Sequence, residues 1–322
     1  MKARSFIHFA APSVLLMLAL LALPLLMTAW LSVRHCAPEL ELATVQQTGP
    51  FGAQEVVTQR ARVDAAGRTV QRCGFVGADY YRKVLGLWGN EADAHNEFGA
   101  ALKFTLIYTL VTAPFILIGG LALALAVQRA ALALRGFLIA ASLLPFIITP
   151  VVGALAIKWL FRDNGLVPYV LAQFGVQVFW MAEAWSARLL IILYGVWHVL
   201  PFAFIVFYAG LQSVPQDAME AATLDGASRW QKFRFVTLPH LAPLVVFVTL
   251  IHLMDAYRVF EPVLVLTQGA FTTSVQYLSY HVLLEENNPY KASASAVLTV
   301  LGVAVLLIPL LRRTWREQRQ GL

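Results

Sequence analysis

The chain has 322 residues, of which 59% are hydrophobic and only 13% charged. A soluble domain carries about 25% charged residues, so the composition excludes a chain built around one solvated core and points to lipid as its solvent. The formal charge of +6 calls for no nucleic acid, because much of the basic excess lies at the ends of apolar runs, where the positive-inside rule puts it.

Six charge-poor runs follow one another: Phe9–Val33, Phe104–Gln128, Gly136–Ile157, Leu189–Gln216, Phe235–Met254 and Ala292–Leu311. Each is long enough for the roughly 20 residues that cross a bilayer core. Each must be helical, since lipid offers a bare amide no partner. The expected fold class is therefore an all-α membrane protein with six transmembrane helices. The first run follows Lys2 and Arg4 as a signal peptide would, but it exceeds an h-region of about 7–15 residues and reads as a retained anchor. If the helices alternate, Arg129 and Arg135, then Arg229, Lys232 and Arg234, then Arg312, Arg313, Arg316 and Arg319 share one side with Lys2 and Arg4. That side is the cytoplasm, which holds both termini. Residues 1–33 then form the N-terminal end and first span, 34–99 an outer subdomain, and 100–322 the remaining spans with a cytoplasmic loop at 213–240.

The outer segment Arg34–Gly99 has Val and Thr content with Gly turns, a pattern for short strands. It holds both cysteines, Cys36 and Cys73. An oxidising compartment would let them pair; the alternative is two free thiols. Further on, Arg162–Arg188 is apolar but broken by Asp-Asn-Gly, Pro168 and Glu183. It reads as a helix at the outer interface, with Trp180 and Trp185 at headgroup level. Thr267–Tyr290 reads as the third outer loop. No internal repeat is visible, which counts against the secondary transporters built from inverted repeats.

The loop Glu220–Pro239, EAATLDGASRWQKFRFVTLP, is the most informative stretch. Pro215 suits the first turn of a short helix, and Asp217 and Glu220 favour its positive end. Ala218, Ala221 and Ala222 leave a face with almost no side chain. Asp225-Gly226 breaks that helix. Ser228 with Gln231 three residues on can form a capping box for a second helix, which carries Trp230 and Phe233 among Arg229, Lys232 and Arg234. The product is a helix–turn–helix finger with aromatic anchors of the kind that populate interface hot spots. The alternative is a solvated loop whose amphipathic ends lie on the membrane.

Leu211–Pro243 resembles the EAA loop of ABC importer permeases, in the carbohydrate branch of maltose and glycerol-phosphate permeases. The landmarks are Leu211, Pro215, Glu220-Ala221-Ala222, Asp225-Gly226-Ala227, Phe233 and Leu238-Pro239. FVGADYYRKVL at Phe75–Leu85, Trp197 with Pro201, and LTQGAFTT at Leu266–Thr273 extend the likeness. In the last, Ala270 and Phe271 stand where the family has Gly and Pro, and the Cys36–Cys73 insert has no counterpart in the family pattern. The resemblance implies a type I ABC importer permease core in a bacterial inner membrane. It implies that Glu220, Ala221, Ala222, Asp225, Gly226, Ala227, Trp230 and Phe233 form a coupling helix docked on a cytoplasmic ATPase dimer. It also implies a second homologous permease, a periplasmic solute-binding protein and a carbohydrate substrate. ATP and Mg belong to the ATPase, and no cofactor is expected in this chain. The lysines agree with that division: a P-loop needs Gly-Lys, and none of Lys2, Lys83, Lys103, Lys158, Lys232 and Lys291 follows a glycine.

Ionisable groups inside a membrane segment default to functional candidates. His252, Asp255, Arg258 and Glu261 recur every three residues and fall near one helical face. By position, the resemblance adds Val259 on that helix and Val199 and Phe202 on the helix before the loop; Tyr257 and His198 are further candidates. Two structural alternatives stand beside this reading: an Asp255–Arg258 pair that only orients the helix, and His198 as a satisfied core histidine. A polar and aromatic lining suits a polyhydroxylated ligand, while Arg258 leaves room for glycerol phosphate or another anionic solute. No third and fourth ligand converge on His252 and Asp255 to hold a metal. An ATP-independent secondary transporter and an intramembrane enzyme are rivals of other classes, and neither needs a docking finger.

Overall fold

The computed structural model describes residues 3–49, 52–64, 67–87 and 96–320. Lys2 lies outside the described residues, and so do the side chains of Arg4, Arg313, Arg316 and Arg319. The chain divides into two compact units, residues 1–96 with 282–298, and residues 97–281 with 299–322.

In the first unit, α1 (Ala3–Ser32) runs into a pair of antiparallel ribbons. Strand β1 (Arg34–Pro38) pairs with β4 (Gln71–Phe75), which sets Cys36 opposite Cys73, and their sulfurs are bonded. Between them, β2 (Leu40–Gly49) and β3 (Gly52–Ala61) pair along their full length. The all-α expectation therefore holds for the spans and not for this segment, where short strands were expected. The helix α2 (Asp79–Val84) seats Tyr80 beside His35, its hydroxyl 2.6 Å from Nδ1. Tyr290, at the start of α12 (Pro289–Gln320), stacks on Tyr80 with centroids 6.0 Å apart. Its hydroxyl donates to the Cys36 carbonyl at 3.3 Å. These contacts join residues near 290 to the outer segment.

The second unit is helical: α3 (Glu97–Arg129), α4 (Leu132–Ile147), α5 (Pro150–Phe161), α6 (Leu166–Gln173), α7 (Ala184–Gln212), α8 (Gln216–Leu224), α9 (Arg229–Lys232), α10 (Leu238–Tyr257), α11 (Val275–Leu284) and the remainder of α12. Among the described residues, five helices of the chain are long and apolar enough to cross a bilayer, and six if each bent pair is one span. The run Gly136–Ile157 is thus not one straight span. The helix stops at Ile147, and the chain from Pro150 leaves at 95°. The cause is local: Pro150 bars the helical region to the residue before it, and Ile148 and Thr149 are extended, with ψ of 132° and 142°.

Two further expectations give way. Arg162–Arg188 is helical only over α6 before α7 begins at Ala184. Trp180 is buried, packed edge-on against Phe161 at 4.9 Å, while Trp185 is exposed. The third outer loop, likewise, contains α11. Ser274 caps that helix through Tyr277 N at 3.1 Å, and Thr105 Oγ1 on α3 accepts from Val275 N at 3.1 Å. The altered LTQGAFTT stretch is contorted, with φ of 51° at Gln268 and 59° at Phe271. Arg188 Nε holds it by donating to the Phe271 carbonyl at 3.1 Å.

The core runs along α3 and α7. A Cβ on Gly120 would meet Ala203 Cβ at 2.7 Å and the Phe204 backbone N at 3.0 Å, so glycine sets how closely these helices approach. Buried hydroxyls on α3 are satisfied within the helix, Thr109 donating to the Thr105 carbonyl and Thr112 to that of Tyr108, both at 2.8 Å. Such bonds let polar side chains sit in an apolar interior at little cost.

Candidate functional site

Helix α10 ends at Tyr257, and Arg258 leaves the helical region with φ −102°. Steps of three therefore do not carry Arg258 and Glu261 along one face. They line the same place across the break in the helix instead. His252, Asp255, Arg258 and Glu261 all line a cavity of about 440 Å³ together with Tyr108 and Tyr194. Val199, His198 and Val259 line it too. A second cavity of about 440 Å³ shares His252, Asp255, Arg258 and Val199 and adds Phe202 and Phe146, whose rings stack 5.9 Å apart.

Asp255 and Arg258 meet at 3.3 Å, but both side chains are more than half exposed. An exposed pair of this kind contributes little to stability, so the pair does not serve as a buried orienting bridge, and both groups stay available to a ligand. His252 is buried and held by Thr112. His198 Nδ1 lies 2.8 Å from the Pro145 carbonyl, an acceptor released because α4 ends two residues later. A carbonyl can only accept, so Nδ1 carries a proton. His198 is half-buried, bonded to Pro145 and at the wall of the first cavity. Tyr257 lines neither cavity: it is 1% exposed, and its hydroxyl packs against Gly302 of α12 without a hydrogen-bond partner among the described residues.

Sequence reasoning passed over Tyr108, Tyr194 and Gln276, which line the first cavity. The only signal for the tyrosines was a polar-tipped ring within an oily run. Gly195 has a matching role, since a Cβ there would strike the Tyr108 hydroxyl.

The finger forms as its local chemistry dictates. In α8 the last turn closes with Ala227 N on the Ala222 carbonyl at 2.9 Å and Gly226 N on that of Thr223 at 3.0 Å, a Schellman arrangement that needs the left-handed φ of 72° at Gly226. The capping box is complete: Ser228 N donates to Gln231 Oε1 at 2.7 Å, and Gln231 N to Ser228 Oγ at 3.3 Å. Lys232 Nζ ties the second helix to the first through Thr223 Oγ1 at 2.8 Å. Trp230 packs on Phe233 at 5.6 Å and is 67% exposed. Glu220, Ala221, Asp225 and Gly226 are also exposed, with Ala222 and Ala227 half-buried. Behind Phe233 the turns widen over Phe233–Thr237, Leu238 N reaching the Phe233 carbonyl. Pro239 lacks the donor that would continue the ordinary ladder.

The family described as binding-protein-dependent transport system inner membrane component matches residues 95–319. The chain belongs to this family. The permease is 33% identical over 212 residues to the trehalose/maltose transport system permease protein MalF of Thermococcus litoralis, covering 64% of this chain and 69% of that one. It is 29% identical to the trehalose transport system permease protein SugA of Mycobacterium tuberculosis, over 92% of this chain and 84% of the relative. It is 27% identical to the sn-glycerol-3-phosphate transport system permease protein UgpA of Escherichia coli, over 88% and 93%. Among solved structures, a chain of a bacterial ABC transporter involved in the import of the acidic polysaccharide alginate matches with a TM-score of 0.63 at 24% identity, over 76% of the permease and 84% of that chain. That likeness establishes the fold. The permease is a multi-pass membrane protein.

Proposed function

We propose that this permease forms half of the translocation pathway of a binding-protein-dependent ABC importer for a sugar, an oligosaccharide or a polyol, in a bacterial inner membrane. A second homologous permease supplies the other half, a periplasmic solute-binding protein delivers the substrate, and a cytoplasmic ATPase dimer drives the cycle. ATP and Mg act in that dimer, and this chain is not an enzyme. The observation that carries the reading is the cavity where Asp255, His252, Arg258 and Glu261 meet the rings of Tyr108 and Tyr194. Sugar hydroxyls pair with such carboxylates and donors, and ring faces cover the apolar side of a pyranose. The names of the relatives support the same substrate class.

Residues 213–240 are the coupling element in this proposal. The exposed Trp230 ring, the Glu220 carboxylate and the alanine face of α8 are the surface that an ATPase cleft would take. The core would then swing between inward- and outward-facing states by contact alone. Arg258 favours one second reading, since its guanidinium is 72% exposed and lines both cavities; an anionic solute such as a glycerol phosphate would pair with it.

The test is ATP hydrolysis by the complex purified through this chain, with its binding protein, titrated with monosaccharides, disaccharides, polyols and glycerol phosphates. Stimulation by one sugar supports the proposal, and stimulation by a glycerol phosphate alone supports the second reading. If no ATPase accompanies the chain and nothing stimulates hydrolysis, the coupling role fails.

A further inference from the structure

A third cavity, of about 620 Å³, lies at the base of the finger, where the C-terminal ends of α3 and α7 meet α8, α9 and the widened turns after Phe233. Its charged lining is Arg129, Arg229 and Lys232, with the amides of Gln128 and Gln212 beside them and no carboxylate. Among the described residues, neither Arg129 nor Arg229 has an ion-pair partner. Lys232 bonds only the neutral Thr223 hydroxyl. Arg135 nearby is different: its guanidinium donates to the carbonyls of Ala130 at 3.0 Å and Gln128 at 2.6 Å, which closes the end of α3.

Three cations around one concavity make a positive field that favours an entering anion. Two guanidinium forks and one ammonium match a tetrahedral oxyanion that offers several oxygens, since arginine engages phosphate bidentately and lysine acts as a point charge. The site lies at the ends of two helices long enough to span a bilayer, where lipid headgroups would come within reach. Basic pockets between spans at that depth take acidic head groups. We propose that this cavity binds a phosphate-bearing anion, held by Arg129, Arg229 and Lys232. An anion there bridges the end of α3 to both helices of the finger, so its occupancy sets how freely the finger moves against the core. The phosphate has two sources, the headgroup of an acidic phospholipid or a free phosphorylated solute. Binding does not depend on the transport reading; only its effect on a coupled ATPase does.

The experiment uses the full chain in neutral detergent. Native mass spectrometry compares retention of phosphatidylglycerol with that of phosphatidylcholine, and calorimetry titrates inorganic phosphate and pyrophosphate. The variants are Arg129→Gln, Arg229→Gln and, as a control of equal charge outside the cavity, Arg234→Gln, each checked by thermal melting. Selective retention of phosphatidylglycerol that weakens about fivefold in the two cavity variants and not in Arg234→Gln supports the headgroup source. Binding of phosphate or pyrophosphate with the same pattern supports the soluble source. Equal retention of both lipids without phosphate binding overturns the proposal. So does a loss in Arg234→Gln equal to that in Arg129→Gln, which would mean general surface charge.

Discussion

The Thr112 hydroxyl lies 2.9 Å from Nε2 of His252 and joins the middle of α3 to the end of α10 that lines the cavity. Thr112 already donates its single proton to the Tyr108 carbonyl at 2.8 Å. The network therefore assigns the Nε2–H tautomer, with the imidazole donating to Thr112 and Nδ1 left unprotonated and without a partner among the described residues. His252 is thus a neutral tie between two helices at the cavity wall, and His252→Ala should leave Thr112 with its helical bond while opening a gap. Thr112→Val instead strands a buried N–H donor. It is expected to cost about 1–3 kcal/mol, read as a lower melting temperature of the purified complex, with transport reduced in parallel.

Asp255 is the group for which loss of function without loss of fold is expected. Its carboxylate is 53% exposed and its pairing with Arg258 contributes little. Asp255→Ala should lower substrate uptake while assembly with the ATPase and the melting temperature hold. Undiminished uptake would remove Asp255 from the pathway.

The close contact of α3 with α7 permits no side chain at Gly120. Gly120→Ala drives a methyl into Ala203 and the backbone at Phe204, and an overpacked contact of this kind costs about 1–3 kcal/mol. Tyr257→Phe is the opposite case. It removes a buried hydroxyl with no partner among the described residues and should leave stability unchanged or raise it, because an unmet buried polar group is itself costly. Thermal melts of the two variants should move in opposite directions or differ by several degrees.

In the finger, Ser228→Ala removes the side-chain half of the capping box, the Oγ that accepts from Gln231 N, worth about 1 kcal/mol. Gly226→Ala puts a Cβ on a residue at φ 72°, about 1–2 kcal/mol. Both sites are exposed, so the core should fold normally. The expected result is weakened stimulation of ATP hydrolysis with substrate-loaded binding protein, in a complex that still assembles and folds. A normal stimulation in both variants would mean that the finger's shape does not matter for coupling.

In the first unit, burial, then the neighbouring Tyr290, then Asp79 push the Tyr80 phenol above its ordinary pKa. The folded chain then holds this proton at pH values where the unfolded chain releases it. The contribution is complete below about pH 10 and is lost as pH rises through the folded value. Melting should fall more steeply above about pH 10 in the native chain than in Tyr80→Phe, measured by near-UV circular dichroism.

The features legible in the sequence were those whose cause is local. The length of the charge-poor apolar runs declared the spans, because lipid imposes the same length and the same helix on every crossing. The finger was readable residue by residue, since Gly226, Ser228 and Gln231 make their decisive bonds within a few positions of themselves. The bend at Pro150 was equally local, yet the reading of Gly136–Ile157 as one span passed over its sign, the Thr149-Pro150 pair. Tertiary structure decided the rest. Tyr108, Tyr194 and Gln276 come from three elements distant in sequence, and only packing brings their polar tips to Asp255. Arg258 and Glu261 reach the same cavity because the helix ends at Tyr257, and not through helical periodicity. Trp180 packs on Phe161, and Tyr257 lies against Gly302 and outside the cavity. Those contacts depend on which surfaces happen to meet, a free energy that belongs to pairs of segments and that no single segment carries.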